Sequence, residues 1–134
     1  MTTVHYLVVS TVLLMAHVIP VGVAYVRYWG WSGAAGNRVA MPDLPGWAQR
    51  ASAASRNMSE NFLHFAVLAI IAVMLKIDEP VVATSAAVFF YARLAYWFVY
   101  IAGIAWVRTL LWITGLSAEL VILYCIVVSP QFSI

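Results

Sequence analysis

The sequence predicts an all-helical membrane protein, a bundle of four transmembrane helices. Two observations carry this. Hydrophobic residues fill 65% of the 134 positions while charged residues fill 9%, and the mean hydropathy is +0.95. A soluble domain is about 45–50% apolar and about 25% charged. Seven basic and five acidic side chains cannot cover so apolar a chain, so the solvent for most of its surface is lipid. These values exclude a disordered chain, a nucleic-acid binder with a basic face and an ordinary soluble enzyme. At roughly 20 apolar residues per span, residues 1–134 form one polytopic domain with spans near 4–26, 58–76, 81–100 and 106–128.

The first 26 residues hold no Lys, Arg, Asp or Glu. The apolar run is too long for a signal-peptide core and lacks a basic start, so it reads as a retained helix. Pro20 within it predicts a kink, because proline removes a backbone donor and neighbouring helices can satisfy the freed carbonyl. From Arg27 onward, Gly30, Gly33, Gly36, Pro42, Pro45 and Gly46 predict a loop of about 20 residues, longer than most helix connections. Pro45 and Trp47 mark the entry to helix two near residue 47. That helix opens in the polar stretch Gln49–Glu60 and becomes apolar from Phe62 to Leu75, so its start projects from the hydrocarbon.

Lys76-Ile77-Asp78-Glu79-Pro80 reads as a tight polar turn, with Pro80 suited to the first position of helix three. Helix three contains Arg93. Gly103 marks the short third link, and Ser129-Pro130 ends helix four, which contains Glu119. The single cysteine, Cys125, has no partner for a disulfide or zinc pattern and reads as a buried structural thiol.

Arg27, Arg38, Arg50, Arg56 and Arg108 flank the first and third links, whereas the second link balances Lys76 against two carboxylates. By the positive-inside rule these two links are cytoplasmic and both termini lie outside. The expected location is the cell (inner) membrane. The arginine-bearing helix ends then gather at one face.

Charged groups in or beside spans are costly and mark functional positions. On helix two, Arg56 and Glu60 are four apart, and Asn57, Glu60 and His64 step along one stripe. On helix three, Arg93, Tyr96 and Tyr100 form a second stripe, and Arg108 opens helix four. A purely structural reading makes these an interhelical network, for example Glu60 with Arg93. His5 and His17 read as packing residues, and Glu119 as a packing contact to a neighbouring polar group. No second histidine sits at ligand spacing from His64, so no metal site is expected. As a binding set, guanidinium groups match carboxylates and a carboxylate receives an ammonium. A zwitterion with two carboxylates and one amine fits, and so does a phosphorylated lipid headgroup.

The segment Arg50-Ala-Ser-Ala-Ala-Ser-Arg56-Asn57-Met58-Ser59-Glu60-Asn61-Phe62 resembles the second-helix signature of the MAPEG family, the membrane-associated proteins of eicosanoid and glutathione metabolism. Ala92-Arg93-Leu94-Ala95-Tyr96 with Tyr100, then Arg108-Thr109, resembles that family's third helix and the start of its fourth. The likeness covers nearly the whole chain and points to a bacterial-type member. It implies a homotrimer that binds glutathione between subunits near the cytoplasmic side.

By position, Asn57 and Glu60 would hold the peptide's backbone and amine, with Arg93, Tyr96 and Tyr100 lining the same cleft. Arg108 would stabilise the thiolate, and Arg27 is a further functional position. Ala53 stands where the family often carries an arginine, leaving Arg50 or Arg56 to reach in as the carboxylate anchor. The cosubstrate is therefore glutathione or another low-molecular-weight thiol. The implied activity is a thiol-dependent transferase or peroxidase acting on a lipophilic electrophile. The alternative is a non-catalytic protein of the same fold, a lipid binder or a structural subunit of a larger membrane complex.

Overall fold

The computed structural model describes residues 1–38, 40–77 and 80–132. Its helices are α1 (Thr3–Ala16), α2 (Val18–Ala35), α3 (Gly46–Met74), α4 (Pro80–Ala102) and α5 (Ala105–Val127). No strand occurs among the described residues. α1 and α2 together make one of four segments long and apolar enough to span a membrane; α3, α4 and α5 are the others.

The break between α1 and α2 falls at His17. Pro20 cannot donate to the carbonyl one turn back, so the ladder is interrupted there. His17 nonetheless keeps right-handed helical angles of φ −60° and ψ −24°, and the kink within this span falls at Gly30 instead. His17 is fully buried there and stacks on Trp97 of α4, with ring centroids 4.4 Å apart. It is a packing residue.

The first loop is shorter than the glycines suggest. α2 continues past Arg27 to Ala35, so only Gly36–Pro45 connects it to α3. Glycine is well tolerated in membrane helices. Here only Gly30 leaves the helical conformation, at φ 69° and ψ 176°, and the chain resumes its helix at once. At about 1.5 Å per residue, the 33 residues of Thr3–Ala35 and the 29 of α3 exceed a hydrocarbon layer of about 30 Å. Both are therefore longer than one perpendicular crossing requires, and the polar start of α3 is the part suited to the interfacial layer.

The α4–α5 connection turns on Gly103. Its φ of 84° places it in the left-handed region that ends helices, and the Ile104 amide donates to the Val99 carbonyl at 3.2 Å. This is the six-to-one bond of a Schellman cap. Pro80 opens α4 as expected; Asp78 and Glu79 of the preceding turn lie outside the described residues.

Lipid chains are as apolar as leucine, so close packing rather than water exclusion holds such helices together. The core accordingly uses small residues. Ala69 and Ala72 of α3, Ala86 of α4 and Ala118 of α5 are buried around Phe65, Phe89 and Ile122. Phe65 and Phe89 stack across the α3–α4 contact at 4.0 Å. The outward faces carry Val8, Val12, Ile19, Leu110 and Leu120, as a lipid-facing surface requires. Cys125 is free and only half-buried at the edge of this core, less enclosed than its sequence context suggests.

Candidate functional site

Arg93 organises the polar interior. It is 1% exposed, midway along α4, where an unpaired guanidinium would be very costly. Two asparagines on α3 receive it. Nη1 donates to Asn57 Oδ1 at 3.1 Å and Nη2 to Asn61 Oδ1 at 2.6 Å. The Asn61 amide in turn donates to the Asn57 carbonyl at 2.8 Å. From the other side, Gly115 of α5 makes room: a Cβ there would lie 3.0 Å from Nη2 and 3.1 Å from Nε. The rings of Phe89 and Tyr96 flank the guanidinium, with centroids 5.4 and 5.5 Å from its carbon.

The Glu60–Arg93 pair, the example offered by a purely structural reading, is not formed, although Arg93 does join an interhelical hydrogen-bond network. Arg93 bonds the two asparagine amides, while Glu60 lies on the exposed face of α3. The one ion-pair contact among the described residues joins His64 Nδ1 to Glu119 Oε2 at 3.8 Å. Glu119 is thus a packing contact to a polar neighbour, as its isolation on helix four suggests.

Beside this interior lies a recess of about 260 Å³ lined by Asn57, Tyr96, Tyr100, Arg108, Thr109 and Trp112. The Arg108 guanidinium carbon sits 4.7 Å from the Tyr100 ring centroid, a cation–π distance. Tyr96 meets Tyr100 edge-on at 5.4 Å. Because Arg93 occupies Asn57 Oδ1, the amide nitrogen of Asn57 is the group left to serve a ligand. The recess therefore offers an amide donor, a guanidinium and two phenols. Such a donor-rich set favours an anionic guest.

Four of the expected residues thus meet at or behind one recess: Asn57, Tyr96, Tyr100 and Arg108, with Arg93 as their buried support. Four others lie elsewhere in the chain. Arg50 donates through Nε to the Ile101 carbonyl at 2.9 Å, tying the start of α3 to the end of α4. Arg56 faces the first loop and lines a different recess. Arg27 is exposed at the end of an apolar groove on α1 and α2, and Glu60 is exposed on α3 without lining the recess.

Three residues escaped sequence reasoning. Asn61 and Trp112 follow Asn57 and Arg108 by four positions, a helical spacing that marks them as neighbours. Gly115 carried no readable signal, because its role is to leave space for a side chain on another helix. No group of three or more metal-ligating side chains occurs among the described residues.

Compared with known proteins, the chain matches the family model described as MAPEG family over residues 3–128. No curated protein and no solved structure matches it.

Proposed function

The chain belongs to the MAPEG family, and from that membership we propose that it is a thiol-dependent membrane transferase or peroxidase acting on lipophilic electrophiles. Glutathione or another low-molecular-weight thiol is the cosubstrate. The observation that carries this reading is Arg108, half-buried over the Tyr100 ring in a donor-lined recess and in no ion pair among the described residues. A nearby cation lowers a thiol's pKa, and the thiolate is the nucleophile. In conjugation, the thiol gives its proton to solvent and the sulfur pair attacks an electrophilic carbon. The carbon–sulfur bond forms as the leaving group departs with its own pair. Asn57, Tyr96 and Tyr100 orient the thiol compound, and Glu60 takes its ammonium in an assembly that brings α3 of one copy beside another. The proposed arrangement is a homotrimer with the arginine-bearing links in the cytoplasm.

The test is a conjugation assay on the purified protein in detergent, with a panel of lipophilic electrophiles. Removing one preorganised donor to a developing anion costs on the order of 10²–10³ in rate. Arg108→Ala should show that loss while thiol binding persists. Arg108→Lys keeps the charge without the planar fork, so partial rescue would identify charge as the working feature.

One observation favours the second reading, a non-catalytic member of the same fold. Arg93 and Arg50 are committed to hydrogen bonds within the bundle, so one chain's recess offers a single cation, Arg108, to a peptide with two carboxylates. Wild-type protein that binds no thiol and accelerates no conjugation would decide for that reading.

A further inference from the structure

The recess that receives Arg56 is separate from the one around Arg108. It has a volume of about 360 Å³, and its charged lining groups are Arg38, Arg56 and Asp43. Gln49, Ser52 and Arg56 reach it from one stripe of α3, at the polar end suited to the interfacial layer. Trp29 and the segment Met41–Leu44 close the other side. The wall is fastened: the Trp29 indole donates to the Pro42 carbonyl at 2.8 Å, and the Gln49 amide donates to the Leu44 carbonyl at 2.6 Å. Arg38 is also positioned, with Nε and Nη2 on the Ala34 carbonyl at 3.3 and 3.2 Å and its carbon 4.7 Å from the Tyr25 ring centroid. Its Nη1 remains available to a ligand.

Two guanidinium groups and one carboxylate thus line a single small recess, yet neither guanidinium forms an ion pair with the carboxylate within 4.0 Å among the described residues. Charges of opposite sign that share a recess without closing on each other leave room for a guest that bridges them. Arginine pairs suit a phosphate, whereas Asp43 would repel a bare anion and accept an ammonium. Met41, Pro42 and Leu44 give the recess an apolar side. Earlier on the same span, the apolar side chains of Val18, Ile19 and Val23 are exposed.

We propose that this recess binds the headgroup of a bilayer aminophospholipid, with the phosphodiester on Arg38 and Arg56 and the primary ammonium on Asp43. The lipid's acyl chains continue into the bilayer beside α2. This site is independent of the thiol chemistry proposed above and stands or falls without it.

Native mass spectrometry of the full-length protein in mild detergent, titrated with single lipids, tests the assignment. Phosphatidylethanolamine should give retained adducts, and phosphatidylcholine, whose quaternary nitrogen has no N–H to donate, weaker ones. Arg56→Ala should weaken phosphatidylethanolamine binding by about tenfold, the scale of one charge-assisted hydrogen bond. Asp43→Asn should shift preference toward the anionic phosphatidylglycerol, a reversal that misfolding would not produce. Inorganic phosphate and glycerophosphoethanolamine are the soluble arms. Competition by either at concentrations comparable to the lipid would replace the lipid assignment with a soluble phosphate ligand. Equal binding of all lipids, or adducts unchanged in both variants, would overturn the site.

Discussion

Arg93 shows how a single residue can set the polar interior of a membrane bundle. Its guanidinium is held by two asparagine oxygens and roofed by a glycine, so its position tolerates little adjustment. Gly115→Ala would place a methyl group 3.0–3.3 Å from three guanidinium atoms. Arg93 cannot retreat without loosening Asn57 and Asn61. Overpacking of this kind costs roughly 1–3 kcal/mol, and a lower melting temperature in detergent is expected. Adding Arg93→Met to Gly115→Ala should relieve the crowding, so the double variant should be more stable than the two separate losses add up to. Simple additivity would show that the guanidinium is not what the methyl group meets. Asn57 connects this packing to the recess: Arg93 bonds its oxygen, which leaves its amide nitrogen for the recess.

At the scale of the element, the first span was the least legible part of the fold. The absence of charge before Arg27 marks where the span begins, and Pro20 marks the break between α1 and α2. Its end was obscured because Gly30, Gly33 and Gly36 all look like loop residues, whereas α2 runs on through the first two and ends only before Gly36. Gly30, at φ 69° and ψ 176°, occupies a region that only glycine adopts readily. A Cβ there would meet nothing within 4 Å, so the conformational requirement is free of steric crowding. Gly30→Ala should therefore cost of order 1–3 kcal/mol through the backbone alone. Thermal unfolding in detergent checks this; an unchanged midpoint would mean that α2 straightens through residue 30 without penalty. The candidate site residues lie on stripes spaced by three and four. That spacing grouped Tyr96 with Tyr100, which line one recess, and Asn57 with Glu60, of which only Asn57 lines it. It could not tell which side of α3 faces a neighbouring helix. Arg56 consequently turned out to serve the first loop, and the unremarked Asn61 met Arg93.

For the whole molecule, the exposed surface of α3 poses a problem that one copy does not solve. Glu60 is exposed, and the His64 side chain is 64% accessible although it stands on an otherwise apolar half of the span. Such groups carry a substantial cost beside lipid unless they find water or a partner; within one chain His64 has Glu119 3.8 Å away, and Glu60 forms no ion pair among the described residues. Ser59 and the half-buried Ser52, Ala53 and Ser55 lie on the same helix, and small residues of this kind let helices approach closely. Packing against further copies would cover the polar stripe and bring Glu60 near a recess built by another chain. The family resemblance sets the expected number at three. Native mass spectrometry in mild detergent should therefore release a trimer, and Glu60→Leu should leave that trimer intact while weakening thiol binding. A wild-type protein that remains monomeric would leave Glu60 and His64 without a neighbour from another copy. It would also remove the intersubunit arrangement, restricting any thiol to the single-cation recess of one chain.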